Sequence, residues 1–333
     1  MEELNEIKKE NDSDYYTYLS ELESIRDRKD KSTLRVCSVF PERFLSKDIA
    51  HPDEVKHLTI VLDFNQCGIG YTYYTWYTRG SDDLCSDIVN FQNLETLTAT
   101  DLNLLEDLWI KFANNSKSLK EIHFSSSCEI DCADSFYFDE KEKAVEAIFN
   151  ISTLEKLTIN NLFFPYFPPG PSNIKYLELC TNGEETIDAL KTYNKYFEQI
   201  KSYVNNFCTH TNIKTLILDT LNISHYELKD LKLGNMTQLE DLEIRNYWKI
   251  DELDIESILL LPNLKKFSCR IIETDSLMPA LITTLKSDLK FPSVEKVTIY
   301  VLTRSNSKFN VNEANKYLST ILKSGLNFLF KVL

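Results

Sequence analysis

The 333-residue chain predicts an α/β solenoid, with a curved parallel sheet on the concave side and helices and irregular segments on the convex side. Two observations carry this reading. A three-residue apolar phrase at the first, fourth and sixth positions of a short stretch recurs ten times. The longer intervals between phrases hold apolar residues at helical spacing.

The phrases are Leu34/Cys37/Val39, Val55/Leu58/Ile60, Leu94/Leu97/Ala99, Leu119/Ile122/Phe124, Leu154/Leu157/Ile159, Ile174/Leu177/Leu179, Ile213/Leu216/Leu218, Leu239/Leu242/Ile244, Leu264/Phe267/Cys269 and Val294/Val297/Ile299. Their first residues lie 20 to 39 apart. The mean of roughly 29 is at the upper end of the leucine-rich-repeat period. Side chains alternate along a strand, so the fourth and sixth positions share one face, while the first turns the chain inward. One unit alone cannot bury that face, and units must stack into a continuous core. Leu157, Leu177, Leu216 and Leu242 should therefore be buried on successive strands.

The phrases share a context. "NFQNLETL", "LLPNLKKF", "KFPSVEKV", "GNMTQLEDL" and "NISTLEKL" each set an apolar residue and a short polar or proline turn ahead of the first apolar position. Here the chain resembles the irregular leucine-rich repeats of the ribonuclease-inhibitor and F-box-associated families, from Leu34 to Ile299. That resemblance implies a non-enzymatic scaffold binding a protein partner of unknown identity. Its F-box side implies, as an alternative, a substrate-recognition adaptor with ubiquitin-ligase subunits as partners. F-box proteins of this repeat type open with a Leu-Pro pair ahead of a helical apolar pattern, and the pair is absent here.

Residues 1–32 read as a charged, weakly helical segment or cap, with Tyr18, Leu19, Leu22 and Ile25 as a docking stripe. Residues 33–310 form the solenoid of about ten irregular repeats. Its clearest helix lies between Glu184 and Phe207, where apolar residues fall three or four apart; shorter ones cover "NLLEDLWIKFANN", "EKEKAVEAIFN", "DIESILLL" and "SLMPALITTLKSDL". Residues 311–333 read as a helix and an apolar tail that cap the last repeat.

Two intervals exceed what a minimal repeat needs. "CGIGYTYYTWYTRGSDDL" alternates aromatic and small residues, suiting a two-stranded excursion or an irregular loop, and offers Tyr73 and Trp76 for partner binding. "NLFFPYFPPGPSN" is stopped from regular structure by four prolines and bridges two close strands. Its Phe163, Phe164, Tyr166 and Phe167 either form a recognition patch or fold back over the gap left by a missing helix.

A net charge of −14 opposes generic binding to nucleic acid or anionic lipid. No secretion signal and no 18-residue apolar run are found, so a cytoplasmic or nuclear protein is expected. The eight cysteines are scattered without a Cys-x-x-Cys pair and read as free thiols, with no metal and no cofactor. Phosphate loops and nucleophile or metalloprotease motifs are absent, and an enzyme with a site on an inserted loop is the least supported class.

The third, fifth and seventh positions of each phrase must point away from the core. The early strands place His57, Thr59, Thr96, Thr98, Thr100, Glu121, His123, Lys156 and Thr158 there, a mild polar surface. The middle strands place Tyr176, Glu178, Asp219, Asp241 and Glu243, an acidic patch; the late strands place Arg245, Lys266, Arg270, Lys296 and Tyr300, a basic patch against the sign of the whole chain. These ten residues, with Tyr73 and Trp76, are the candidate partner-binding set.

Overall fold

The computed structural model describes residues 19–37, 44–61, 86–100, 106–125, 142–160, 166–180, 205–219, 231–248, 255–272, 293–302, 312, 315–316 and 327–332. The Tyr73 and Trp76 loop, Phe163 and Phe164, most of the Glu184 helix and the "SLMPALITTLKSDL" helix lie outside them. The chain divides into two compact units, one of residues 1–127 and 151–153 and the other of 128–150 and 154–333.

Each unit is a parallel α/β repeat solenoid in which strand order follows chain order. The first holds β1 (Thr33–Cys37), β2 (His57–Val61), β3 (Thr96–Thr100) and β4 (Glu121–Ser125). The second holds β5 (Lys156–Asn160), β6 (Tyr176–Cys180), β7 (Thr215–Asp219), β8 (Asp241–Trp248), β9 (Lys266–Ile272), β10 (Lys296–Leu302) and β11 (Asn327–Val332). The apolar phrase sets the register. Leu157, Leu177, Leu216 and Leu242 are successive partners across β5 to β8, each with 0 % of its surface exposed. All three apolar residues of the nine phrases from Val55 onward are buried.

The first phrase is the exception. Leu34 and Val36, not Cys37 and Val39, are the buried pair of β1, in register with Leu58 and Ile60; Cys37 is exposed. Leu34 thus takes the fourth position, and the first falls to the half-buried Lys31. This end carries α1 (19–26), whose Ile25 is buried and whose Glu21 carboxylate accepts the Cys37 backbone N–H at 2.8 Å, satisfying a donor near the end of β1. Arg28 donates to the Ile25 and Ala50 carbonyls and joins α1 to α2 (Lys47–Ala50).

The expected short helices form as α3 (Glu106–Asn115), α4 (Glu142–Phe149) and α5 (Ile255–Leu259). Trp109 and Phe112 of α3 are buried, and Trp109 meets Phe124 of β4 edge-on at 5.2 Å. At the end of the chain, the segment read as an apolar tail forms β11, an eleventh strand paired in parallel with β10.

Polar ladders join the repeats outside the core. The residue just before the first apolar position donates to a carbonyl two residues ahead of that position in the preceding repeat: Asn93 to Asp53 at 2.8 Å, Asn212 to Ser172 at 2.7 Å, Asn263 to Thr237 at 2.8 Å, and Ser293 to Pro262. The residue just after the first apolar position carries an exposed or half-buried charge, and these alternate in sign over short runs. Glu95 lies between Lys56 and Lys120 at 3.0 and 2.8 Å, and Glu240 between Lys214 and Lys265 at 3.0 and 2.6 Å. Such solvent-screened pairs contribute little by themselves and mainly reinforce the register set by the apolar phrase.

The proline bridge rests on the same logic. Prolines remove N–H donors and leave carbonyls that need partners. Segment 206–212 supplies them: Asn206 donates to Phe167 O at 2.8 Å, His210 Nε2–H to Pro168 O at 2.8 Å, and Asn212 to Ser172 O. Gly170 returns its own N–H to Thr209 Oγ1 at 2.7 Å, and a Cβ there would stand 2.6 Å from the Thr209 carbonyl oxygen. Phe167 is buried, stacked on Phe207 at 4.6 Å and edge-on to Phe149 at 5.3 Å; Tyr166 donates its hydroxyl to Glu146 at 2.7 Å. These two aromatic residues fill the gap rather than face outward.

His210 occupies a position held by buried apolar residues in four other repeats, Phe91, Ile151, Met236 and Leu261, and by the buried Ser116 in a fifth. The Pro168 carbonyl explains the exchange, because only a side chain with a donor satisfies it. With Nε2 protonated, Nδ1 accepts from the Ser172 hydroxyl at 2.9 Å, and the ring lies edge-on to Phe149 and Phe167 at 5.2 and 5.0 Å. Burial holds this imidazole below its ordinary value. The unfolded chain therefore takes up the proton first, so the contribution of neutral His210 is complete above about pH 6.5 and is lost as pH falls below it. His210→Gln keeps a donor for Pro168 without the titration; urea unfolding between about pH 7 and 5 should show a shallower loss of stability than in the parent. Identical slopes would show that His210 contributes nothing to the acid sensitivity.

Candidate interaction surface

Side chains of β5 to β10 that point away from the core form three rows across the second unit. Lys156, Tyr176, Thr215, Asp241, Lys266 and Lys296 stand in register in the first row. Thr158, Glu178, Ile217, Glu243, Ser268 and Thr298 form the second. In the third, Asn160 pairs with Cys180 and Cys180 with Asp219, and further along Arg270 pairs with Tyr300.

The regular ladder breaks once. Between Ile244 and Tyr247 the register of β8 against β9 shifts, leaving Arg245 at the irregularity. Bulges re-aim side chains. The Arg245 guanidinium bonds Glu243 on its own strand at 2.9 Å and reaches over β7 to Glu178 on β6 at 3.0 Å. It also lies 3.6 Å from the Cys180 sulfur. Ile217, the β7 residue in register between the two glutamates, is buried although it faces away from the core. The Tyr176 hydroxyl donates to the other Glu178 oxygen at 2.7 Å, and Lys156 stands 5.1 Å from the Tyr176 ring centre.

The expected division into an acidic middle and a basic end is thus only partly observed. Arg245, placed by position with the basic group, is the tie of the acidic one. Lys266 approaches Asp241 at 3.8 Å. The interlocked group is partly accessible, with side-chain exposures of 16 % for Glu178, 28 % for Arg245 and 37 % for Glu243.

Burial raises the Glu178 carboxyl, but the Tyr176 hydroxyl, the Arg245 charge and the Cys180 thiol outweigh it and hold the group below its ordinary value. The Tyr176 phenol is pushed up by burial and by Glu178. Glu243 keeps Arg245 charged. Burial raises Asp219, with Arg270 and Arg245 opposing it, and raises Asp241, with Lys266 opposing. Burial and Glu178 push the Cys180 thiol to about 12. A thiol so protonated is a poor nucleophile at neutral pH. On the same face, the Thr158 hydroxyl and the Asn160 side-chain carbonyl are buried without a hydrogen-bond partner. A buried polar group left without a partner costs roughly 1–3 kcal/mol.

The first unit presents a plainer face, with His57 to Thr96 at 3.2 Å, Thr100 to Ser125 at 2.9 Å and His123 to Glu121 at 3.4 Å. Among the described residues, no group of three His, Cys, Asp or Glu is placed to hold a metal ion, and no helix is long and apolar enough to cross a membrane. Cys37, Cys180, Cys208 and Cys269 are free thiols. Alternation marks the outward positions, but choosing charged and aromatic residues among them passed over Asn160, Cys180, Thr215, Ile217, Ser268 and Thr298, and no pattern of residue types marks the bulge that gives Arg245 its reach.

No family model matches the chain, and no curated protein matches it. Among solved structures, a crystal structure of a protein from Bacteroides fragilis is similar at 14 % identity, with a TM-score of 0.43, over 86 % of this chain and 76 % of that one.

The Arg245–Glu178 pair is less than one-third exposed and joined by one charge-assisted bond. A double-mutant cycle with Arg245→Met and Glu178→Gln should give a coupling of about 0.5–3 kcal/mol at neutral pH. Because the Glu178 carboxyl is held low, the coupling is complete above about pH 4.3 and shrinks as the folded protein is titrated below that. A coupling of zero at neutral pH would show that the contact is screened and carries no organising role.

Proposed function

We propose that this chain is a non-enzymatic leucine-rich-repeat scaffold of the irregular ribonuclease-inhibitor-like type that binds a protein partner through the outward face of β5 to β10. The observation that carries the reading is the Arg245 bridge. A guanidinium spanning three strands holds two carboxylates and, through Glu178, a tyrosine in fixed positions on a partly exposed face. Tyrosine and arginine supply much of the binding energy of protein interfaces, and side chains already ordered lose less entropy on association. The inert Cys180 thiol favours recognition over covalent chemistry at this face.

A steric test replaces no member of the network. Thr215, half-buried on β7, lies in register between Tyr176 and Asp241. Thr215→Arg adds bulk at the centre of the face and should abolish capture of partners from the native cell, while Lys111→Glu on the exposed side of α3 should not. Both variants should unfold within about 0.5 kcal/mol of the parent. Full partner recovery by Thr215→Arg would remove the proposal, and cullin-adaptor subunits among the recovered proteins would favour the ubiquitin-ligase alternative.

A further inference from the structure

The outward side chains of β9 and β10 form a compact rectangle. Lys266, Ser268 and Arg270 stand along one strand, in register with Lys296, Thr298 and Tyr300 along the next. Their alternate neighbours Phe267, Cys269, Val297 and Ile299 are buried, so these six share the other face. Neighbouring strands lie about 4.8 Å apart, which brings the two lysines side by side.

Both lysines are exposed, with 63 % of the Lys266 side chain accessible. Asp241 forms a long ion pair with Lys266 at 3.8 Å, beyond ordinary hydrogen-bond length, and its carboxylate also feels the charge of Lys296. Lysines at the ladder position are neutralised differently: Lys214 and Lys265 share Glu240 at 3.0 and 2.6 Å. Adjacent ammonium groups repel each other, and a chain of net charge −14 has acid available to intersperse between them. Among the described residues one acid, Asp241, serves both, and the half-buried Ser268 and the buried Thr298 lie between the charged corners.

Resting on the reading of this face as an interface, we infer that the β9–β10 rectangle docks an Asp/Glu-rich segment of the partner. The two ammonium groups meet its carboxylates, and the flanking acids Asp241 and Glu243 on β8 limit the seat on one side by repelling a segment laid too far towards β8. The net acidity of the chain opposes any non-specific approach of such a segment, so attraction is confined to this place.

The test uses the full chain and a fluorescein-labelled peptide of twelve glutamates, with oligolysine and Gly-Ser peptides of equal length alongside. Fluorescence anisotropy at low ionic strength should show binding of the glutamate peptide, weakening as salt is raised. Lys266→Glu/Lys296→Glu should weaken it at least tenfold, whereas Lys111→Glu/Lys117→Glu, which changes the net charge equally on the first unit, should leave it within about twofold. Absence of binding to the parent protein, or equal loss in both double variants, would overturn the inference. Capture of the native partner separates this failure from that of the wider reading. If the glutamate peptide does not bind yet Thr215→Arg still loses the partner, the face is an interface for a segment of other chemistry. If Thr215→Arg also retains the partner, the face is not an interface.

Discussion

Every outward group of the second unit owes its place to the apolar triad beneath it. Leu177, Leu216 and Leu242 are register partners with no exposed surface, and a one-residue slip would send each to the opposite face. Burying each such side chain is worth about 1.5–3 kcal/mol, and the repeat cannot collect it without its neighbours. Glu178, Ile217 and Glu243 line up across three strands because the leucines beside them do. The interaction surface is a consequence of core packing, modified at one point by the β8 irregularity.

Hydrogen bonding completes what the apolar phrase begins. A solenoid has to close each turn between repeats, and here Asn93, Asn212 and Asn263 do so by donating to a carbonyl of the preceding turn. The proline bridge is the extreme case. It carries few donors of its own, and Asn206, His210 and Asn212 reach it from a single later segment. Replacing a helix by this bridge exchanges backbone hydrogen bonding within one segment for side-chain bonding between segments.

Much of this was legible in the sequence because period-two alternation and the spacing of the phrase are direct images of strand geometry. The first repeat was misread for an instructive reason. With Lys31 at its inward position, the pattern slides three residues and takes Leu34 for a first residue instead of a fourth. The outward rows followed from alternation alone, whereas the contacts within them did not. Arg245 joins Glu178 from sixty-seven positions away through a backbone irregularity, and His210 is buried because of a proline carbonyl forty-two positions before it. Such pairings depend on three-dimensional neighbours, which a linear pattern does not record. The asparagine ladder was within reach, since "QNL", "TNI" and "PNL" each set Asn before the first apolar residue.

The claim that the outward face of β5 to β10 is where this protein meets its partner is tested most directly by site-specific photo-crosslinking in the native cell. A benzoylphenylalanine placed at Thr215 or Lys296 should yield a discrete crosslinked species, and one placed at Lys111 or Lys117 in the first unit should not. Crosslinking from the first-unit positions alone, with the β7 and β10 positions silent, would contradict the account.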